Sequence, residues 1–254
     1  MNKPLHSIIF LALLLIFLPT LVLAKEEAVR VAVDAAYPPY MFGTTPAKGL
    51  YPEILRTAFS LSGIPVKITG YPWKRALSLG REGKVAIGGI YQNLTRMALF
   101  DYSDPIYIET LRVCVKAGHN FPFSGVIDLG GKRVGINRGW SYGEVFDSAR
   151  RAGLFEAEEA TDNQANLKKL ILGRLDCIIA DERSLSQIIY QRGWGDDVEM
   201  LDPPAAVNSV HLVFAKRTKQ TLVLDRFNQG LVKMKENGIY SRIIDEFIHG
   251  VEAD

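Results

Sequence analysis

Short β-branched runs alternate with helix-like stretches along most of the chain. Val29-Arg30-Val31-Ala32-Val33, Val66-Lys67-Ile68, Val85-Ala86-Ile87, Arg133-Val134-Gly135-Ile136 and Cys177-Ile178-Ile179-Ala180 read as strands. Glu53 to Leu61 has the apolar spacing of an amphipathic helix and stops at Gly63 and Pro65. Trp73, Ala76, Leu77 and Gly80 mark a second helix, and a third precedes the fifth strand from Asn166 to Leu172. The tail from Leu222 to Ile248 is helical with a break at Asn237-Gly238. This alternation predicts an α/β fold of parallel sheets covered by helices on both faces.

Two extended segments read as crossings between lobes. Tyr107 to Lys116 runs out midway through the chain, and Ser209 to Lys216 returns after Pro203-Pro204. The expected division is a first lobe of 25–109 with 210–254 and a second of 110–209. Residues 1–24 have the form of a secretory signal peptide: Lys3, an apolar stretch of 11 residues, and a cut after Ala24. A membrane anchor fits less well, because Pro19 interrupts a run already shorter than the roughly 20 residues a bilayer requires. The mature chain is expected to be soluble and exported, and two cysteines suit a bacterial periplasm.

Composition narrows the function classes. The 254 residues carry 30 Lys plus Arg and 28 Asp plus Glu, a net charge of +2 that falls to +1 with the leader's Lys3 removed. A balance this close to zero argues against a protein built to coat nucleic acid. Two cysteines rule out a disulfide scaffold or a structural zinc cluster, and Cys114 and Cys177 are expected as buried thiols on neighbouring strands. The four histidines have no metal-ligand spacing, so neither metal nor cofactor is expected. Gly125 to Lys132 lacks the Lys and Ser/Thr of a phosphate loop and reads as a turn. Phe121 and Phe123 read equally well as core or as surface.

Candidate chemistry lies at the strand ends, where open parallel sheets bind ligands. The first strand ends at Asp34, followed by Tyr37 and Tyr40. The third ends in Gly88-Gly89-Ile90-Tyr91, with Thr95-Arg96 where a helix should begin. The fourth ends in Asn137-Arg138-Gly139-Trp140-Ser141, and the fifth at Asp181. A guanidinium grips a carboxylate through two parallel hydrogen bonds, and Asp34 and Asp181 offer seats for an ammonium. Together they describe a site for a free α-amino acid. The plainer alternative is that each Asp caps the next helix and that Arg96 is solvated.

Six motifs in register add a family resemblance. Val31 to Tyr40, Gly49-Leu50-Tyr51-Pro52-Glu53-Ile54, and Thr95-Arg96 with Tyr102-Ser103-Asp104-Pro105-Ile106-Tyr107 are followed by Asp128 to Ile136, Gly173 to Asp181 and Met234 to Tyr240. In this order they resemble the bacterial extracellular solute-binding proteins of family 3, the periplasmic amino-acid-binding components of ABC importers. The resemblance implies a periplasmic binding protein-like type II fold, two lobes with central sheets joined by two crossing strands. It also implies a monomeric, non-enzymatic receptor whose partners are a small-molecule ligand and an importer permease. By motif position Arg96 grips the ligand α-carboxylate with help from Ser141, and Asp181 takes the α-ammonium. Tyr37 and Trp73 are aromatic walls, and Asp34 meets the ligand's far end.

The chain departs from that pattern at Gly88, Gly89 and Tyr91, where relatives usually place hydroxyl residues. There Tyr91 keeps a phenol and Gly89 allows close backbone approach. Pro72-Trp73-Lys74-Arg75 and Arg138 add basic charge beside the expected mouth, so an acidic or bulky ligand is also open. Two alternative functions are an enzyme on the same scaffold, resembling the periplasmic cyclohexadienyl dehydratases, and an orphan or sensory solute-binding module.

Overall fold

A computed structural model describes residues 27–252, and the expected signal peptide lies outside the described residues. Twelve strands are described: β1 (Val29–Asp34), β2 (Ala36–Tyr37), β3 (Met41–Phe42), β4 (Val66–Tyr71), β5 (Ala86–Tyr91), β6 (Phe100–Tyr102), β7 (Tyr107–Lys116), β8 (Arg133–Asn137), β9 (Glu156–Ala160), β10 (Cys177–Asp181), β11 (Val198–Met200) and β12 (Ala206–Ala215). All but the small β2–β3 hairpin join one ten-stranded sheet in the order β4-β1-β5-β12-β7-β10-β8-β9, with β6 beside β12 and β11 beside β7.

The sheet is parallel at each end and antiparallel in the middle. β1 pairs in parallel with β4 and β5, and β8 pairs in parallel with β9 and β10. The two long strands between them are the crossings. β7 and β12 pair with each other over Tyr107–Leu111 and Ala206–Val210. Each then diverges: β7 runs on beside β10 and β11, whereas β12 runs on beside β5 and β6. At about 3.3 Å per residue, strands of this length reach from one lobe into the other. The chain is thus a mixed α/β protein of two lobes joined by two crossing strands. The expected parallel strands are present at each end, and the crossings add an antiparallel middle because the chain leaves and re-enters the first lobe in opposite directions.

Helices cover both faces. α1 (Leu50–Leu61) buries Leu50, Ile54, Leu55, Ala58 and Phe59. Its Phe59 meets Phe227 of α7 (Thr221–Glu236) with ring centroids 4.8 Å apart. α2 (Trp73–Arg81) closes the other face over Ala32, Ile87 and Phe100. α3 (Leu94–Met97) is one turn, capped by the Asn93 side chain, which accepts from the Arg96 N–H at 2.8 Å. The second lobe carries α4 (Glu144–Arg151), α5 (Asn163–Ile171) and α6 (Glu182–Arg192). α8 (Ile239–Glu252) follows the turn at Asn237-Gly238. Cys114 and Cys177 are free, buried thiols on adjacent β7 and β10, and burial pushes both up to about 12. Phe123 is buried and Phe121 half-buried, the two rings meeting edge to face.

Candidate functional site

The strand ends of the two lobes meet across the crossing strands and enclose a cavity of about 20 Å³, room for about one water molecule. Six of the expected residues line it: Tyr37, Trp73, Gly89, Tyr91, Arg96 and Ser141. Met41, Glu109 and Trp140 complete the lining.

Arg96 is the cation of this cavity. It is 6% exposed, and its guanidinium donates to the Tyr91 carbonyl at 3.0 Å and to the Gly139 carbonyl at 3.5 Å. Its Cζ lies 6.0 Å from the Trp73 ring centroid, within cation–π range. Among the described residues no carboxylate forms an ion pair with it. Desolvation pulls its pKa down to about 10, which leaves it charged at neutral pH. The short α3 offers no helix-dipole site for an anion, so the positive field here belongs to the side chain. Gly139 serves both lobes: its carbonyl also accepts from Trp73 Nε1 at 3.2 Å. With φ +80 and a Cβ position 3.0 Å from the Lys74 side chain, this position favours glycine. Gly89, at φ +81, has Met41 Sδ 2.7 Å from its Cβ position, so the wall stays low there.

Polar clasps hold the second lobe's Asn137–Gly143 loop against the first lobe. Asn93 Nδ2 donates to Ser141 Oγ and to Asp147 Oδ2, both at 3.0 Å. Ser141 itself donates to Asp147, and Glu144 accepts from the Leu94 N–H at 2.9 Å. The Asn93 side chain that caps α3 and the serine expected to assist Arg96 therefore share one network.

Glu109 is the acid of the cavity. It sits on β7 with its side chain 1% exposed. Tyr37 donates to Oε2 at 2.6 Å, and the Tyr51 and Tyr91 hydroxyls donate to the same carboxyl. Burial, reinforced by the neighbouring Asp181 carboxyl, raises its pKa to about 8. Burial likewise pushes these tyrosines well above 10.

Asp34 and Asp181 lie outside the cavity lining. Asp34 is 4% exposed and accepts from the Ala36 N–H at 3.0 Å and, across the lobes, from Trp140 Nε1 at 3.2 Å. The Trp140 indole also packs edge-on against Tyr37, with centroids 4.3 Å apart. Desolvation raises Asp34 to about 6. Asp181 is 2% exposed, caps α6 by accepting from the Ser184 N–H at 3.0 Å, and is hydrogen-bonded by Tyr40. Burial raises it to about 6 as well. It opens into a separate groove of about 710 Å³, lined also by Tyr40, Tyr107, Arg183 and Tyr190.

Six residues expected from the sequence thus share one cavity, whereas Glu109, Met41 and Trp140 were not expected in its lining. A signal for Glu109 exists in the strand pattern. Positions 109, 111 and 113 of β7 point inward and are buried, whereas Ile108 is 60% exposed. A carboxylate in the inward phase beside an apolar residue in the outward phase is reversed polarity for a core strand. The four histidines carry no comparable signal. His211 is buried between Ser103 O and Ser209 Oγ, each 2.8 Å away. No cluster of metal-ligating side chains occurs among the described residues.

Known proteins share this architecture. The chain is 25% identical over 248 residues to the L-arginine-binding protein of Pseudomonas aeruginosa, covering 93% of each chain. It superimposes with a TM-score of 0.77 on a histidine kinase sensor domain with similarity to periplasmic binding proteins, at 20% identity, covering 88% of this chain and 96% of that one. An ancestral arginine-binding protein bound to arginine gives a TM-score of 0.73 at 20% identity, covering 87% and 97%. At such identities the superpositions establish the fold, a type II periplasmic binding protein fold. The family model for bacterial extracellular solute-binding proteins, family 3, matches residues 29–250, and the chain belongs to that family.

Proposed function

We propose that this protein is an exported receptor that closes its two lobes over one amino acid or similar small polar solute and presents it to an ABC importer permease. The observation that carries this reading is Arg96: a buried guanidinium in the interlobe cavity whose hydrogen-bond acceptors are both backbone carbonyls. A buried cation without an ion-pair partner is costly, and a ligand carboxylate relieves that cost through two parallel charge-assisted bonds. Ser141 assists from the second lobe, Tyr37 and Trp73 form aromatic walls, and Asp34 meets the distal end. Asp181, in the neighbouring groove, adds negative field on the side of the ammonium. In this reading 25–109 with 210–254 and 110–209 are the two jaws, and the leader at 1–24 directs export to the periplasm. The protein acts as a monomer.

The cavity of about 20 Å³ admits no amino acid as it stands, so the jaws part for entry. Binding then stabilises the closed arrangement because both lobes touch the solute only there. A micromolar complex requires about −8 kcal/mol. A thermal-shift screen of L-amino acids, dipeptides and organic acids tests the reading, since a solute that binds only the folded state raises its melting temperature. Amino acids are expected to raise it and simple amines to leave it unchanged; no response to any amino acid contradicts the reading.

A second reading is favoured by one placement: Glu109 lines the same cavity as Arg96. Burial raises Glu109 to about 8, and a carboxyl that holds a proton near neutral pH across a cavity from a guanidinium is what acid-assisted expulsion of water from a bound carboxylic acid requires. Turnover of prephenate or arogenate by the purified protein would select it.

A further inference from the structure

We propose that Glu109 is a ligand-binding residue, receiving the ammonium of the solute whose carboxylate Arg96 holds across the same cavity. This rests on the receptor reading above and adds to it a residue that the family motifs do not designate. Arg96 and Glu109 are the cavity-lining side chains that can carry opposite charges, and they form no ion pair with each other. A buried guanidinium and a buried carboxyl held apart fit one molecule that carries both signs, because a zwitterion supplies a partner for the guanidinium and, once the carboxyl gives up its proton, for the carboxylate as well.

The anchoring of Glu109 supports a receptor role. Three hydroxyls from three separate elements, Tyr37 on β2, Tyr51 on α1 and Tyr91 on β5, fix the orientation of its carboxyl. Its strand crosses between lobes, so the group sits at the hinge and keeps its place as the jaws move. From β10 it faces the Asp181 carboxyl, Tyr40 and Tyr107 contribute further phenols, and across the ladder on β12 stands the uncharged Asn208. Arg183 is the nearby cation, and its charge acts on Asp181. Among the described residues no cation pairs with Glu109, so at neutral pH a proton holds the place that an ammonium would take.

Binding is then an exchange: the neutral carboxyl gives its proton to solvent, and the carboxylate that remains pairs with the incoming ammonium. Affinity therefore rises with pH below about 8, and close to one proton per solute is released at pH 7. A carboxyl that serves only to lock the tyrosines at the hinge predicts neither effect.

The experiment pairs each L-amino acid with its α-deaminated carboxylic acid, on wild type and Glu109→Gln, by thermal shift. Amino acids that bind are then followed by calorimetry in phosphate and Tris buffers at pH 7. Wild type is expected to prefer the amine-bearing member and to release a proton. Glu109→Gln is expected to lose about tenfold or more in amino-acid affinity, the equivalent of one pKa unit, while its affinity for the deaminated acid is nearly unchanged. Amino acids that bind Glu109→Gln as tightly as wild type, with the same proton release, overturn this inference and leave the receptor reading intact. Failure of every amino acid to bind wild type overturns both. Should the variant not fold, the proton count on wild type decides alone: no release at pH 7 contradicts the exchange.

Discussion

Arg96 and Asp181 both sit near the end of a core strand, Asp181 closing β10 and Arg96 in α3 five residues past β5, yet their surroundings differ. Asp181 is satisfied locally by the Ser184 N–H and by Tyr40, as a helix cap should be. Arg96 has backbone carbonyls from two lobes and no ion-pair partner among the described residues. A capping group completes a helix whether or not a ligand is present. A buried guanidinium held between lobes has its largest unmet demand at the interlobe cavity itself.

The comparison can be broken by single substitutions, the largest effect first. Arg96→Ala should cost roughly 2–5 kcal/mol of amino-acid affinity in a calorimetric titration, because the ligand carboxylate is left buried and unpaired. An unchanged affinity would place recognition elsewhere.

Next comes the pH dependence of stability. Glu109 binds its proton up to about pH 8 in the folded chain against an ordinary value of 4.5, so the folded state holds more protons than the unfolded between those limits. Stability should therefore fall as pH rises through this window, with Asp34 and Asp181 contributing between about 4 and 6. Urea denaturation at pH 6 and pH 8 should show wild type losing about 2 kcal/mol, close to the limit of 1.36 kcal/mol per pH unit, and Glu109→Gln losing much less. A flat wild-type profile would remove the buried neutral carboxyl from the account.

Asp181 sharpens the contrast by separating its two roles. Asp181→Ala should lose about 1 kcal/mol of stability through the missing cap, together with affinity for an ammonium-bearing solute. Asp181→Asn keeps the cap acceptor, so its stability should hold while affinity still falls. Full affinity in Asp181→Asn would reduce the residue to a cap.

The smallest effect belongs to Trp140→Phe, which removes the indole donor to Asp34 and keeps a ring against Tyr37. That bond holds the Asp34 pKa down, so the variant should titrate above about 6 by NMR and lose about 1 kcal/mol of closed-state stability.

Much of this fold is legible in the chain. The β-branched runs ending at Asp34, Tyr91, Asn137 and Asp181 form the strands that carry the site, and the extended stretch Tyr107–Lys116 is a crossing strand with those bounds. The return crossing begins three residues before the expected Ser209, at Ala206, because pairing with β7 extends it past the local signal. Glu156–Ala160 was not legible as a strand: three of its five residues are glutamates, and parallel pairing with β8 imposes the conformation that propensity does not. Arg96, Tyr37, Trp73, Tyr91, Gly89 and Ser141 converge because strand ends and crossovers place them together. Glu109 and Met41 escaped because their roles depend on packing across the hinge. Trp140 stood among the polar residues at a strand end, and only the closed lobes reveal its contact with Asp34.

The most direct test is a crystal structure of the protein grown with the amino acid that most raises its melting temperature. The account predicts the ligand carboxylate on Arg96, with two parallel N–H···O contacts of about 2.7–2.9 Å. A carboxylate bound elsewhere, with the Arg96 side chain turned away from the ligand, would contradict it.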